Sequence, residues 1–401
     1  MSWTIAKLGE LTKILSGTTP DSANTAYWNG HHIWVTPTDL GKLDSWTVVD
    51  SARRVSSAGL ASCNLQLVPL NAVVMSSRAP IGHLAMAGVN LHTNQGCKSF
   101  VCGDRLNPEF LFFTLKFRMP EIQALGSGST FAEVSKSALE DFEIAFPSLE
   151  EQSGIAALLK SQLTAVKSAR QAAQAQSNEI RLLKTQALKA VFAAIKETCL
   201  IGDVARIQSG YAFKSETFKK QGVGLLRNAN MAPGRVYWDD AVYLSPDAAP
   251  AHAAYALAAG DVLISLDRPI ISTGIKVARV AASDLPALLV QRVGRFRIDE
   301  TRLNADYLYA FLHTEPFIEA ISGHEQSLGV PHVSPGQIEA IEIPLPSIEE
   351  QQRLAVILNN IAQATREAQT AAELQLRDIE LLPSRLLAQA FDTQKENQDD
   401  K

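Results

Sequence analysis

Two sets of side chains in this sequence carry donors and acceptors that can discriminate the edges of nucleic-acid bases. The first set is Thr36, Thr38, Ser77, Arg78, His92, Asn94, Gln95 and Lys98; the second is Arg227, Asn228, Asn230, Arg268, Thr273, Gln291, Arg292 and Arg295. Arginine matches guanine, asparagine and glutamine match adenine, and serine or threonine suits either. They sit in stretches read as loops, where binding groups concentrate. Each also has an ordinary structural reading. Thr36 and Thr38 flank Pro37 in an expected turn, and Arg268 has Asp267 and Asp261 as possible surface partners. Half or more of protein–DNA hydrogen bonds also go to phosphate and sugar rather than to bases. Two glycine-rich tracts, Gly126-Ser127-Gly128-Ser129-Thr130 and Gly323-His324 through Gly329, offer backbone N–H groups to a phosphate or serve as plain connectors.

The elements that must position these residues are duplicated. Phe146-Pro147-Ser148-Leu149-Glu150-Glu151-Gln152 returns as Leu345-Pro346-Ser347-Ile348-Glu349-Glu350-Gln351, an offset of 199 residues that holds without a gap to the paired Phe192 and Phe391. Upstream, Leu8-Gly9-Glu10-Leu11 and Ser16-Gly17 answer Ile201-Gly202-Asp203-Val204 and Ser209-Gly210 at an offset of 193. Asn71 to Ser76 faces Gly260 to Ser265 at 189, and Asn107 to Leu111 faces Asn304 to Leu308 at 197. A slipping offset means insertions and deletions between matched elements, which belong in loops. Short β-branched or aromatic strands are expected at Ala72 to Ser76, Ser99 to Cys102, Val262 to Leu266 and Gly294 to Ile298, with a short helix at Glu109 to Phe117 and Asp306 to His313. Each globular half is therefore read as α+β.

Each Pro-Ser tract opens a long helix. Ile155, Leu159, Leu163, Val166, Ala169, Ala173, Ile180, Leu183, Ala187, Val191 and Ile195 recur at steps of three, four and seven, as do Leu354, Leu358, Ile361, Thr365, Ala368, Ala372, Ile379, Leu382, Leu386 and Ala390. Large residues at the ends and alanines in the middle suit two helices that pair closely at their centres. A plain structural hairpin or a homodimeric coiled coil would use the same stripe. Ser148 and Ser347 are expected N-caps, with Glu151 and Glu350 completing capping boxes. Pro383 is expected to kink or break the second helix.

The chain has 401 residues, 46% hydrophobic and 20% charged, with zero mean hydropathy, enough for two or more cored domains. A net charge of −5 speaks against a general charge-driven nucleic-acid binder while allowing one whose basic residues line a groove. Nothing resembles a secretory signal or a membrane span, so a cytoplasmic setting without membrane partners is expected. Cys63, Cys97, Cys102 and Cys199 lack zinc-ligand spacing and are read as reduced and structural.

On the paired Pro-Ser-Leu/Ile-Glu-Glu-Gln tracts, the Ser-Gly after each first strand, and Asn71 to Gly82 followed by Asn94-Gln95-Gly96, the chain resembles the specificity subunit of type I restriction-modification systems over essentially its whole length. The second half departs from the pattern in placing its glycine late, at Gly274, and in having Gln291-Arg292-Val293 for Asn-Gln-Gly. The resemblance implies two target-recognition domains of similar α+β fold, residues 1–146 and 197–345, alternating with two long antiparallel, coiled-coil-like helical regions, 147–196 and 346–392, in a pseudo-two-fold tandem repeat. Residues 393–401 are expected to form a disordered tail. It implies that each domain grips a half-site in the major groove of double-stranded DNA, that the helices act as a ruler, and that two methyltransferase (modification) subunits and the restriction/translocase subunits dock. S-adenosylmethionine, ATP and Mg would belong to those partners.

The chain itself lacks the Asn/Asp-Pro-Pro-Tyr/Phe loop of an adenine methyltransferase, a Walker lysine loop and a His-Glu-x-x-His motif, and no enzymatic role is expected. Asp203, Glu216 and Lys219 can be forced into a nuclease pattern but fit solvated surface charges better. Two other readings stay open: a protein-interaction scaffold with two globular modules on a helical spacer, and the specificity component of a combined restriction-methylation system.

Overall fold

A computed structural model of the chain describes residues 3–127, 132–322 and 332–392. It divides into two compact units, residues 1–172 with 375–401 and residues 173–374. The division cuts both long helices, Leu149–Ala193 and Ile348–Phe391. Each unit therefore holds one globular domain, the start of the helix that follows it and the end of the other helix.

In the first unit a five-stranded sheet runs in the order Thr47–Val48, Leu84–Ala87, Val73–Ser76, Cys97–Cys102, Thr12–Ser16. Its pairings are antiparallel except at the Thr47–Val48 edge. The run Val73-Val74-Met75 is fully buried because both faces of its strand are covered. Val73 and Met75 join Phe100, Phe110 and Leu159 on one face. Val74 joins Val35, Leu91 and Cys97 on the other, beneath a small sheet ordered Arg53–Val55, Trp28–Val35, His92–Thr93.

The second unit repeats this plan. Ala205–Ser209, Val293–Ile298, Val262–Ser265 and Val277–Arg279 form its main sheet, and Tyr243–Leu244, Val223–Leu226 and Ala287–Leu289 its small one. Val262 and Ile264 face the helices while Leu263 faces the small-sheet side. In both small sheets the pairings are one antiparallel and one parallel. The four expected strands and the two short helices, Pro108–Phe117 and Ala305–Phe311, are present to within a few residues.

Each domain is closed by its own ends. Thr4–Lys7 pairs antiparallel with Glu143–Phe146, and Thr198–Leu200 with Glu342–Pro344. The glutamine of each repeated tract then locks the helix start to the domain. Gln152 Oε1 accepts from Asn107 N–H at 2.8 Å while its Nε2 donates to the Arg105 and Pro147 carbonyls at 3.0 and 2.9 Å. Gln351 makes the matching bonds to Asn304, Arg302 and Pro346, each 2.9 Å long. Asn107 and Asn304 in turn cap the short helices. Both glutamines are wholly buried with every polar group of the amide used in the bonding.

The helices run antiparallel within each unit. Ala156, Leu159 and Leu163 share a core with Leu387 and Phe391 in the first, and Leu188 and Phe192 share one with Ala355 and Leu358 in the second. Small residues are buried midway, Ala173, Ser177 and Ala372, and Gln369 Nε2 donates to Ser177 Oγ at 2.8 Å. The expected stripe fails at Leu183 and Leu382, which are 61% and 36% exposed, and at Ala169 and Ala368, which are exposed as well. Near its C-terminus each helix turns its buried face to the domain instead. Phe192 packs on Tyr307 and Phe311, and Phe391 on Phe110 and Phe117.

Of the kink or break expected at Pro383, the break is absent: the second helix continues through it, its last turns anchored by the burial of Leu387 and Phe391. The Ser148–Glu151 capping box is complete, but Glu350 donates its N–H to Ser347 Oγ and turns its carboxylate to Arg353, so the second box is only half formed.

Candidate nucleic-acid interface

Three loops converge at one end of the main sheet in each domain, and four of the backbone hydrogen bonds that join them recur in both. Asn94 N–H donates to Val35 O, Gly17 N–H to Cys97 O, Ser77 N–H to Gly96 O and Val134 N–H to Ser77 O. In the second domain Val290 donates to Leu226, Gly210 to Val293, Leu266 to Arg292 and Val333 to Leu266. Thr36 to Asp39 therefore stands where Arg227 to Asn230 stands, Ser77 to Pro80 where Leu266 to Pro269 stands, and Asn94 to Cys97 where Val290 to Val293 stands. Both Ser-Gly steps are required by contact. A Cβ on Gly17 would lie 1.9 Å from Asn94 O and one on Gly210 2.2 Å from Val290 O.

The side chains carried on this common frame differ. Thr36 and Thr38 do not flank an open turn. Pro37–Gly41 is a short helix in which Thr36 forms a capping box with Asp39, leaving Thr38 exposed. Arg78 reaches Glu133 at 3.6 Å, as does the buried Lys98 at 3.5 Å. Asn94 Oδ1 accepts from Gly96 N–H, and the exposed Gln95 accepts through Oε1 from the Thr19 hydroxyl. At the positions of Arg78 and Glu133 the second domain has Asp267 and His332, so an acid stands where the first domain has a base. Asp267 binds Arg292 at 2.8 Å and His332 at 2.6 Å. Arg268 therefore pairs with neither Asp267 nor Asp261; the latter holds Arg295. Arg268 is exposed at a left-handed φ of 46°, and Arg292 at 69°.

Several candidates are withdrawn from the surface. Arg295 is 1% exposed and bonds to Asp261, Gln208 and the carbonyls of Ala254 and Ala256. His92 donates from Nδ1 to Gln66 O, and burial holds its pKa below the usual histidine value. Asn230 is wholly buried, its Oδ1 accepting from the Arg227 backbone N–H and its Nδ2 donating to Tyr237 O. Ser77 is wholly buried as well. Asn228 is half-buried and bound by Lys276 Nζ at 3.0 Å, while Arg227 ties to Asp240 at 3.2 Å. Thr273 and Gln291 are exposed.

The structure also adds residues to these faces that sequence reasoning missed. Thr19 and Tyr211 follow the Ser-Gly steps, and Tyr211 N–H and C=O bracket the third loop through Leu289 and Gln291. The Ser-Gly repeat was the signal that could have found them. His332 had no signal, since its contact spans 65 positions. Of the glycine-rich tracts, all but Gly126 and Ser127 lie outside the described residues, as does the tail at 393–401. Cys97 and Cys102 are pushed up to about 12 by burial, which suits inert thiols. Among the described residues no cluster of three or more His, Cys, Asp or Glu could hold a metal, and no helix is long and apolar enough to cross a membrane.

This two-domain, two-helix frame has solved counterparts. A chain from a structure of the type I R-M system superposes with a TM-score of 0.75 at 19% identity, over 97% of each chain. The HsdS subunit from Thermoanaerobacter tengcongensis gives 0.62 at 20% identity, covering 98% of this chain and 97% of that one. Both likenesses are of fold. The type I restriction modification DNA specificity domain model matches residues 1–174 and again 196–376, and the chain belongs to that family. Among its relatives, the EcoAI specificity subunit of Escherichia coli is 39% identical over 184 residues, 45% of this chain and 31% of that protein. The MjaVIII specificity subunit of Methanocaldococcus jannaschii is 29% identical over 266 residues, 63% of each. The matched stretches thus span less than two thirds of these relatives' length.

Proposed function

We propose that this chain is the DNA-reading, non-catalytic subunit of a type I restriction-modification complex, with each domain reading one half of a bipartite, asymmetric site in double-stranded DNA. The observation that carries this reading is the pair of loop clusters: one frame of matched backbone hydrogen bonds, presenting Thr38, Arg78, Asn94 and Gln95 in one domain and Arg227, Asn228, Arg268, Gln291 and Arg292 in the other, with Thr273 exposed on a separate turn of the second domain. A shared frame with unlike side chains suits two unlike sequences. Thr36, Ser77, His92, Lys98, Asn230 and Arg295 serve these faces by positioning the loops. The long helices, the first of 45 residues and so about 67 Å at 1.5 Å per residue, set the count of unread base pairs. Two modification subunits dock on the repeated helical surfaces, and restriction/translocase subunits complete the assembly; S-adenosylmethionine, ATP and Mg act there.

Exchanging residues 1–145 for another recognition domain, in the presence of the modification subunit, tests independent reading. Sequencing methylated adenines should show one half-site replaced and the other unchanged. A change in both would overturn it.

A further inference from the structure

The second unit contains a cavity of about 350 Å³ whose walls come from both long helices, the short helix bearing Tyr309, and the loops at Pro233-Gly234 and Thr273-Gly274. Leu188, Ile275 and Leu358 make part of it apolar. Lys184 and Arg366 also line it, and no carboxylate does. Among the described residues neither cation has an ion-pair or hydrogen-bond partner. Burial works against the Lys184 charge, and the neighbouring Arg366 adds repulsion. His313, also in the wall, is held neutral by burial, so the positive charge comes from the other two. The Tyr309 hydroxyl, kept protonated by burial, sits against Gly234, and the Thr273 side chain is exposed on the opposite loop.

A charge drawn out of water, as the partly buried Lys184 ammonium is, is ordinarily compensated by a partner. Here two cations from separate helices face a shared space without one. We propose that this cavity is an anion site that takes a phosphate group, held between the Lys184 ammonium and the Arg366 guanidinium with the Tyr309 and Thr273 hydroxyls as further donors. A phosphate's several oxygens can accept from donors on separate elements at once, and a guanidinium fork matches two of them. The group can belong to a free phosphate compound or to a DNA backbone phosphodiester beside the Thr273 loop.

The test is calorimetric titration of the full chain with inorganic phosphate, against sodium chloride at equal ionic strength, for wild type, Lys184→Met, Arg366→Gln and Arg366→Lys. Saturable phosphate binding is expected, weakened at least about tenfold in Lys184→Met and Arg366→Gln, as the loss of a charge-assisted partner requires, and partly kept in Arg366→Lys. Arg366 is exposed, so its variants keep the test valid should Lys184→Met fail to fold. A random-sequence duplex separates the sources. Displacement of phosphate by duplex, with duplex binding weakened in the same variants, supports a backbone phosphodiester; duplex binding unchanged by the variants supports a free phosphate compound. Phosphate heats no larger than those of chloride, with duplex binding identical in all four proteins, would overturn the site. Inorganic phosphate is not read as sequence, so this result is independent of the bipartite-site reading.

Discussion

Gln152 and Gln351 stand in the most specific motif of the sequence, yet their work is structural. Each amide satisfies one backbone donor and two backbone carbonyls where a domain meets its helix. Alanine at either position strands those buried groups, at a cost of about 1–3 kcal/mol for an unsatisfied partner. Urea denaturation should register that loss, with Gln152→Glu also destabilised because a carboxylate cannot donate to the Arg105 and Pro147 carbonyls. Unchanged midpoints would remove the clamp from the account. His313 sets a second expectation at this scale. Burial, with Lys184 and Arg366 nearby, lowers its pKa from 6.5 to about 4, outweighing its bond to Tyr309 O. The unfolded chain therefore binds more protons between those values, so stability should fall as pH drops from about 6.5 to about 4. His313→Phe should flatten that part of the curve; an identical slope in both proteins would contradict it. Among the candidate reading residues, the sequence could supply side-chain type but not destination. Arg295 and Arg268 look alike on paper, and only the fold shows one sealed by Asp261 and the other exposed.

Elements were more legible than residues. The 199-residue repeat located both long helices because helix periodicity is local and a Pro-Ser tract stops backward propagation. The two central strands of each main sheet were legible as short apolar runs, while Leu84–Ala87 and Val277–Arg279 beside them were not. The small sheets were not, because strands such as His92–Thr93 and Tyr243–Leu244 are two residues long and owe their pairing to distant partners. The helix ends also differed from a pure coiled-coil stripe, since Phe192 and Phe391 pack their rings on aromatic side chains of a domain. If the helices set the half-site separation, removing one heptad from the first, within residues 164–184, should change the spacer or abolish binding while leaving the half-site preferences intact. Methylation mapping that returns the original spacer would refute the ruler.

At the scale of the whole molecule, duplication explains both the sameness and the asymmetry. The loops of the two domains share backbone hydrogen bonds, while Arg78 with Glu133 in one becomes Asp267 with His332 in the other. A base-edge code written on such a frame changes with its side chains and not with its backbone. The most direct measurement is single-molecule sequencing of methylated adenines in cells expressing this chain with its modification subunit, compared with cells lacking this chain. A bipartite, asymmetric motif present only with the chain is the predicted result. Methylation that persists unchanged without it, or no motif while the modification subunit is shown to be active, would contradict the central claim.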